Sequence, residues 1–61
     1  MNKQYLQDRG WTESNLRDRM QGCRDGLKEV DRTKPSAWTY RAMFVSLYLK
    51  YKHWLSVLKA S

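Results

Sequence analysis

The sequence predicts an all-α fold: a short N-terminal helix followed by a long antiparallel helical hairpin. Three observations carry this. A cap-and-staple signal stands at Trp11–Leu16, an apolar seam with alternating steps of four and three runs from Leu16 to Val30, and a second apolar run extends from Ala37 to Leu58. The chain has 61 residues, which fits one domain spanning 1–61 with helices about 3–9, 12–30 and 35–59. A chain of this size buries only about 60% of its unfolded surface, so its own core is marginal.

The first element, Lys3–Arg9, ends at Gly10. Thr12 then supplies a side-chain oxygen for free N–H groups, and Glu13 puts negative charge in the positive first turn. Trp11 before the cap and Leu16 inside it form a hydrophobic staple. The seam of the second helix is Leu16, Met20, Cys23, Leu27 and Val30. Gly22 and Gly26 lie off this seam; each costs about 1 kcal/mol relative to Ala, or else admits close approach of another backbone. Asp31–Lys34 is a polar connection. Pro35 suits a first helical position because its missing N–H costs nothing there, and Ser36 is an alternative cap.

The third helix has more apolar surface than the others can cover. Between Ala37 and Leu58, 15 of 22 residues are apolar, counting Ala and Tyr, against five on the facing seam. One stripe (Tyr40, Phe44, Leu47, Tyr51, Trp54, Leu58) suits the second helix as a partner. Another (Trp38, Ala42, Val45, Leu49) points elsewhere, as do Met43, Tyr48 and Leu55. A helix apolar nearly all round is expected to be buried on several sides. Two covers are open: a second copy, giving a homodimeric helical bundle, or a foreign protein on which aromatic residues act as anchors.

Charge is equally lopsided. Residues 1–31 hold six Lys/Arg and six Asp/Glu, whereas from Arg32 onward there are six cations, six aromatics and no acid, so the whole net charge of +6 lies in the second half. This favours an acidic partner: an acidic protein face, nucleic acid or anionic lipid. No apolar run approaches the roughly 20 residues that span a bilayer, and the N-terminus lacks a signal-peptide pattern, so the expectation is a cytoplasmic protein.

Catalysis and metal binding find little support. A lone cysteine and a lone histidine do not make a four-ligand zinc site. Cys23 and His53 fall about 15 Å apart along a hairpin that turns near Asp31–Lys34, too far for a nucleophile and its base. No glycine-rich phosphate loop occurs, and the second half has no paired carboxylates. The reading is a protein that is not an enzyme and needs no cofactor or metal.

The opening Tyr5-Leu6, Arg9-Gly10-Trp11-Thr12 and Leu16 resemble small phage- and prophage-borne proteins reading Tyr-Leu-x-x-Arg-Gly-Trp-Thr. Pro35, Met43 and Leu47-Tyr48-Leu49-Lys50 continue that likeness, and a similar run occurs in the DNA-binding domain of the xeroderma pigmentosum group A protein. This resemblance implies a DNA-binding scaffold of the excisionase kind. The tail, with Met43-Phe44, Tyr51-Lys52, Trp54 and Leu58-Lys59, is similar to the lambdoid Kil cell-division inhibitors, which implies docking on a host cytoskeletal GTPase. Together these give the functional expectation of a phage-encoded protein that docks on a host protein or nucleoprotein machine with an acidic surface. The expected partner-binding residues are Trp38, Tyr48, Trp54 and Leu55 as apolar anchors, with Arg41, Lys50 and Lys52 contacting acidic groups. Direct DNA or RNA binding and a self-associating structural hairpin are the alternatives.

Overall fold

The computed structural model describes residues 2–60; Met1 and Ser61, the ends of the expected domain, lie outside the described residues. Three helices follow one another: α1 Lys3–Asp8, α2 Glu13–Glu29 and α3 Ala37–Lys59. The long pair α2 and α3 form the hairpin, and α1 folds back onto α3. The result is a rod of 44 × 18 × 17 Å.

The starts of α1 and α2 are explained by their caps. Asn2 caps α1, accepting the Tyr5 N–H at 2.9 Å. At the end of α1, Gly10 adopts φ +83°. Its N–H donates to the Gln7 carbonyl at 3.0 Å, and the Trp11 N–H donates to the Leu6 carbonyl at 3.0 Å. That pair of bonds is a Schellman motif, and a left-handed residue costs an L-side chain roughly 1–2 kcal/mol that Gly avoids. Thr12 caps α2 by accepting the Asn15 N–H at 3.1 Å, and the Asn15 side chain reaches back to the Gly10 carbonyl at 3.1 Å. One tight junction thus ends one helix and starts the next.

Trp11 occupies both motifs. It is the residue after the glycine of the Schellman turn and the residue before the cap of α2. Its ring packs against the cluster of Leu6, Leu16 and Leu58, one leucine from each helix. Leu6 and Leu16 are wholly buried. Tyr51 and Trp54 close over Trp11, with ring centroids 5.9 and 5.4 Å from it, tilted as aromatic pairs prefer. The core therefore sits at the three-helix end, not midway along the hairpin. The α2 seam faces α3 as its spacing requires: Leu16 and Cys23 are buried, and Met20, Leu27 and Val30 half-buried.

The start of α3 differs from expectation. Pro35 is not its first residue; the helix begins at Ala37, with Ser36 at the cap position but making no side-chain cap bond. The preceding turn takes over. The Asp31 carboxylate accepts both the Thr33 N–H (2.9 Å) and the Thr33 hydroxyl (2.6 Å), and the Lys34 carbonyl accepts the Ala37 N–H at 3.1 Å. A side chain bonding its own backbone two residues on is an alternative to the helix, and it holds Pro35 in the turn. The Thr33 hydroxyl, then its N–H, hold the Asp31 carboxyl below its ordinary 3.8. A depressed carboxyl stabilises the turn above that ordinary value and loses the effect as pH falls through its folded value. In Thr33→Ala the Asp31 titration, followed by NMR, moves up towards 3.8. An unmoved titration would show that Thr33 is not the cause.

The two helical glycines separate. A Cβ on Gly26 would lie 2.6 Å from the tip of the Phe44 ring, whereas one on Gly22 would meet nothing within 4 Å. Gly26 is therefore the socket for an aromatic ring, not a place where a second backbone approaches. Gly22→Ala gains about 1 kcal/mol from helix propensity. In Gly26→Ala the same gain is opposed by over-packing worth about 1–3 kcal/mol. Urea midpoints should rise for the first and stay level or fall for the second; equal rises would remove the socket role.

Candidate functional site

The two halves of α3 have different environments. Its C-terminal half is covered on two sides: Tyr51, Trp54, Leu55, Val57 and Leu58 all belong to, or pack against, the three-helix core. Its N-terminal half is covered on the α2 side alone. There Phe44 and Leu47 are half-buried, while Trp38 is 73% exposed, Leu49 56% and Val45 44%. Tyr40, expected on the stripe facing α2, is exposed as well, at the rim of a recess that it shares with Gly26 and Val30 at the end of α2. Met43 also lies open.

The open residues form an ordered strip. Trp38, Ala42, Val45 and Leu49 follow one line along α3 with steps of four, three and four, a length of about 16 Å at the helical rise. At their centre Trp38, Arg41, Ala42, Val45 and Ser46 surround a shallow, open depression of about 440 Å³. Two small side chains, Ala42 and Ser46, make its floor low, and Trp38 makes its end wall. At 100° per residue, Arg41 and Lys52 fall on one flank of this line. No residue of α3 is acidic, so the flank has no local counter-charge.

The structure divides the seven expected partner-binding residues. Trp38 and Arg41 stand together at the depression, and Lys52 is exposed one turn beyond Leu49. Tyr48 is half-buried, with the Arg24 guanidinium 5.9 Å from its ring centre. Lys50 lies over aromatic faces of its own chain, its Nζ 5.2 Å from the Tyr51 ring centre and 5.0 Å from that of Trp54. Trp54 and Leu55 are core neighbours instead of free anchors, since α1 and Trp11 cover the part of α3 that carries them. Val45 and Leu49, recognised from sequence as an outward stripe but not as binding residues, complete the strip. Their exposure was the missing signal, and it depends on where α1 lands.

Cys23 is a buried free thiol. Among the described residues no group of three or more His, Cys, Asp or Glu could hold a metal ion. No helix among them is long and apolar enough to cross a membrane. An apolar recess of about 300 Å³ lies beside the turn, between Val30, Tyr40 and Phe44, with Glu29, Asp31 and Lys34 at its edge. A wider one of about 630 Å³ lies by Trp11 and Leu58. No known family model, curated protein or solved structure matches the chain.

Proposed function

We propose that this is a non-catalytic docking protein, which engages an acidic face of another protein or nucleoprotein assembly through the outward surface of α3. The observation that supports it most is the exposed Trp38 beside Arg41 on a continuous apolar strip. Trp and Arg are the residues most often found as energetic anchors, and an apolar line with a cationic flank recognises an amphipathic acidic surface. The likeness of the sequence to phage-borne proteins supports a host component as the target. Trp54 and Leu55 leave the anchor set, and Val45 and Leu49 enter it.

The test is capture of a target from host lysate, with and without nuclease, by the wild type and by Trp38→Ala. Trp38 packs against no core residue, so the variant should keep the wild-type circular dichroism. Its affinity should fall by at least about 30-fold, the size of a hot-spot loss of about 2 kcal/mol. Unchanged capture by a folded Trp38→Ala would defeat the assignment. Direct nucleic-acid binding is favoured by the acid-free α3. It requires capture to vanish with nuclease and affinity to fall steeply with salt.

A further inference from the structure

We infer that one flank of the α2–α3 hairpin binds the phosphate backbone of a nucleic-acid duplex, through Arg17, Arg24 and Lys28 of α2 with Arg41 and Lys52 of α3. This surface lies beside the outward strip, shares only Arg41 with it, and does not rest on the docking role given to Trp38. Most of its cations come from α2, so it is more than an attraction to the acid-free α3.

Residues 1–31 are neutral by count, yet α2 sorts its charges by side. At 100° per residue, Arg17, Arg24 and Lys28 fall within about 40° of one another. Asp18, Asp25 and Glu29 do the same, about 100° further round. On α3, Arg41, Tyr48 and Lys52 likewise share a sector of about 40°. The Arg24 guanidinium, 5.9 Å from the Tyr48 ring centre, joins the two basic sectors into one flank. All five cations are exposed. Neighbouring acids are turned elsewhere. Gln21 holds Asp25 at 2.9 Å, while Glu29 and Asp31 line the recess around Gly26, on the other side of the α2 seam. Glu13 shares the basic side but stands beyond the end of the row, level with Lys59.

Three pairings set the register of the hairpin: Leu16 with Leu58, Arg24 with Tyr48, and the Gly26 socket with Phe44. Lys28 is then level with Phe44, and Arg17 with Leu55. Along the rod the cations follow one another as Arg41, Lys28, Arg24, Lys52 and Arg17. Their steps of three or four residues are about 4.5–6 Å each, about 21 Å in all. A repeated cation at short, regular intervals matches a repeated anion. A duplex carries one negative charge per about 1.7 Å of its axis, so the row faces about six base pairs.

The opposite flank has no such row. Arg19 and Lys50 stand there with Glu29, and Lys50 lies over the Tyr51 and Trp54 rings. Tyr48, the aromatic within the row, is half-buried and its ring is taken up by Arg24, so it is not a platform for an unpaired base. The row therefore contacts backbone alone, which selects a duplex and makes binding indifferent to base sequence.

Fluorescence anisotropy of a labelled DNA duplex of about 16 base pairs, titrated with the full chain at several salt concentrations, tests this. Affinity should fall with salt at a log–log slope of about −4, the value for four or five neutralised phosphates. Two double variants each lower the net charge of +6 by two, and each removes one cation held over an aromatic ring. Arg24→Gln with Lys52→Gln should weaken binding more than about tenfold at about 0.1 M salt and make the slope shallower by about two. Arg19→Gln with Lys50→Gln should stay within about threefold of wild type. Arg17→Gln with Lys28→Gln, which touches no aromatic contact, should repeat the first result if helicity in the first pair is altered. Equal weakening by the two flanks, a wild-type slope shallower than about −2, or tighter binding of a single strand of the same length overturns the inference. Trp38→Ala should leave duplex affinity within about twofold. A loss as large as that of the basic pair would place the contact on the strip and overturn the flank. Duplex binding that survives alongside target capture indifferent to Trp38 would overturn only the docking role.

Discussion

Leu16→Ala should lower the stability of this protein by about 2–5 kcal/mol, the range for truncating a buried leucine whose surroundings relax only partly. Leu16 is wholly buried and meets Leu6 and Leu58, so the cavity would open where all three helices converge. Native stability scales at about 0.05–0.15 kcal/mol per residue, which gives a chain of this length roughly 3–9 kcal/mol in all. The substitution therefore removes a large share of it, about half at the middle of both ranges. A thermal midpoint lower by more than about 10 °C is expected. Leu49→Ala is the matched control: the same chemistry at a position 56% exposed should change stability by no more than about 0.5 kcal/mol. Equal losses at the two positions would mean that the core is not where the three leucines meet.

That contrast between two leucines also shows what the sequence could and could not reveal. Local signals were readable. The Thr12 cap, the Trp11 staple and the four/three seam of α2 are fixed by residues within one or two turns of each other, and all appear in the structure. The outward line of Trp38, Ala42, Val45 and Leu49 was readable for the same reason: helical periodicity alone places those residues on one side. What depended on tertiary placement was not. Leu6 is the only buried residue of its helix, and a single leucine has no periodicity to betray it. Without knowing that α1 folds back on α3, nothing distinguishes Leu55 from Leu49. One becomes a core neighbour and the other stays open. The shift of the α3 start from Pro35 to Ala37 has a similar origin. The bonds of Asp31 with Thr33 outcompete the helical preference of a proline that would otherwise sit at the first position.

Trp11→Ala should cost about 3 kcal/mol or more, although the side chain is only half-buried. Three separate structures lose their anchor together. The Schellman turn loses the hydrophobic contact between Trp11 and Leu6 that accompanies its two backbone bonds. The start of α2 loses its staple onto Leu16. Tyr51 and Trp54 keep their mutual edge-on contact, with centroids 5.7 Å apart, but lose the ring that bridges them to the junction. Because α1 is one and a half turns long and has no independent stability, it should detach before the hairpin unfolds. Hydrogen exchange reads this directly: in Trp11→Ala, protection should vanish from α1 while amides in the middle of α2 and α3 keep part of theirs. Trp11→Phe, retaining a ring, should recover about half of the loss. Trp38→Ala removes the same side chain from an exposed site and should leave stability within about 0.5 kcal/mol of wild type while weakening binding. A uniform loss of protection along the whole chain in Trp11→Ala would show that α1 and the hairpin form one cooperative unit. Trp11 would then support the entire fold, and no separate docking of α1 could be claimed.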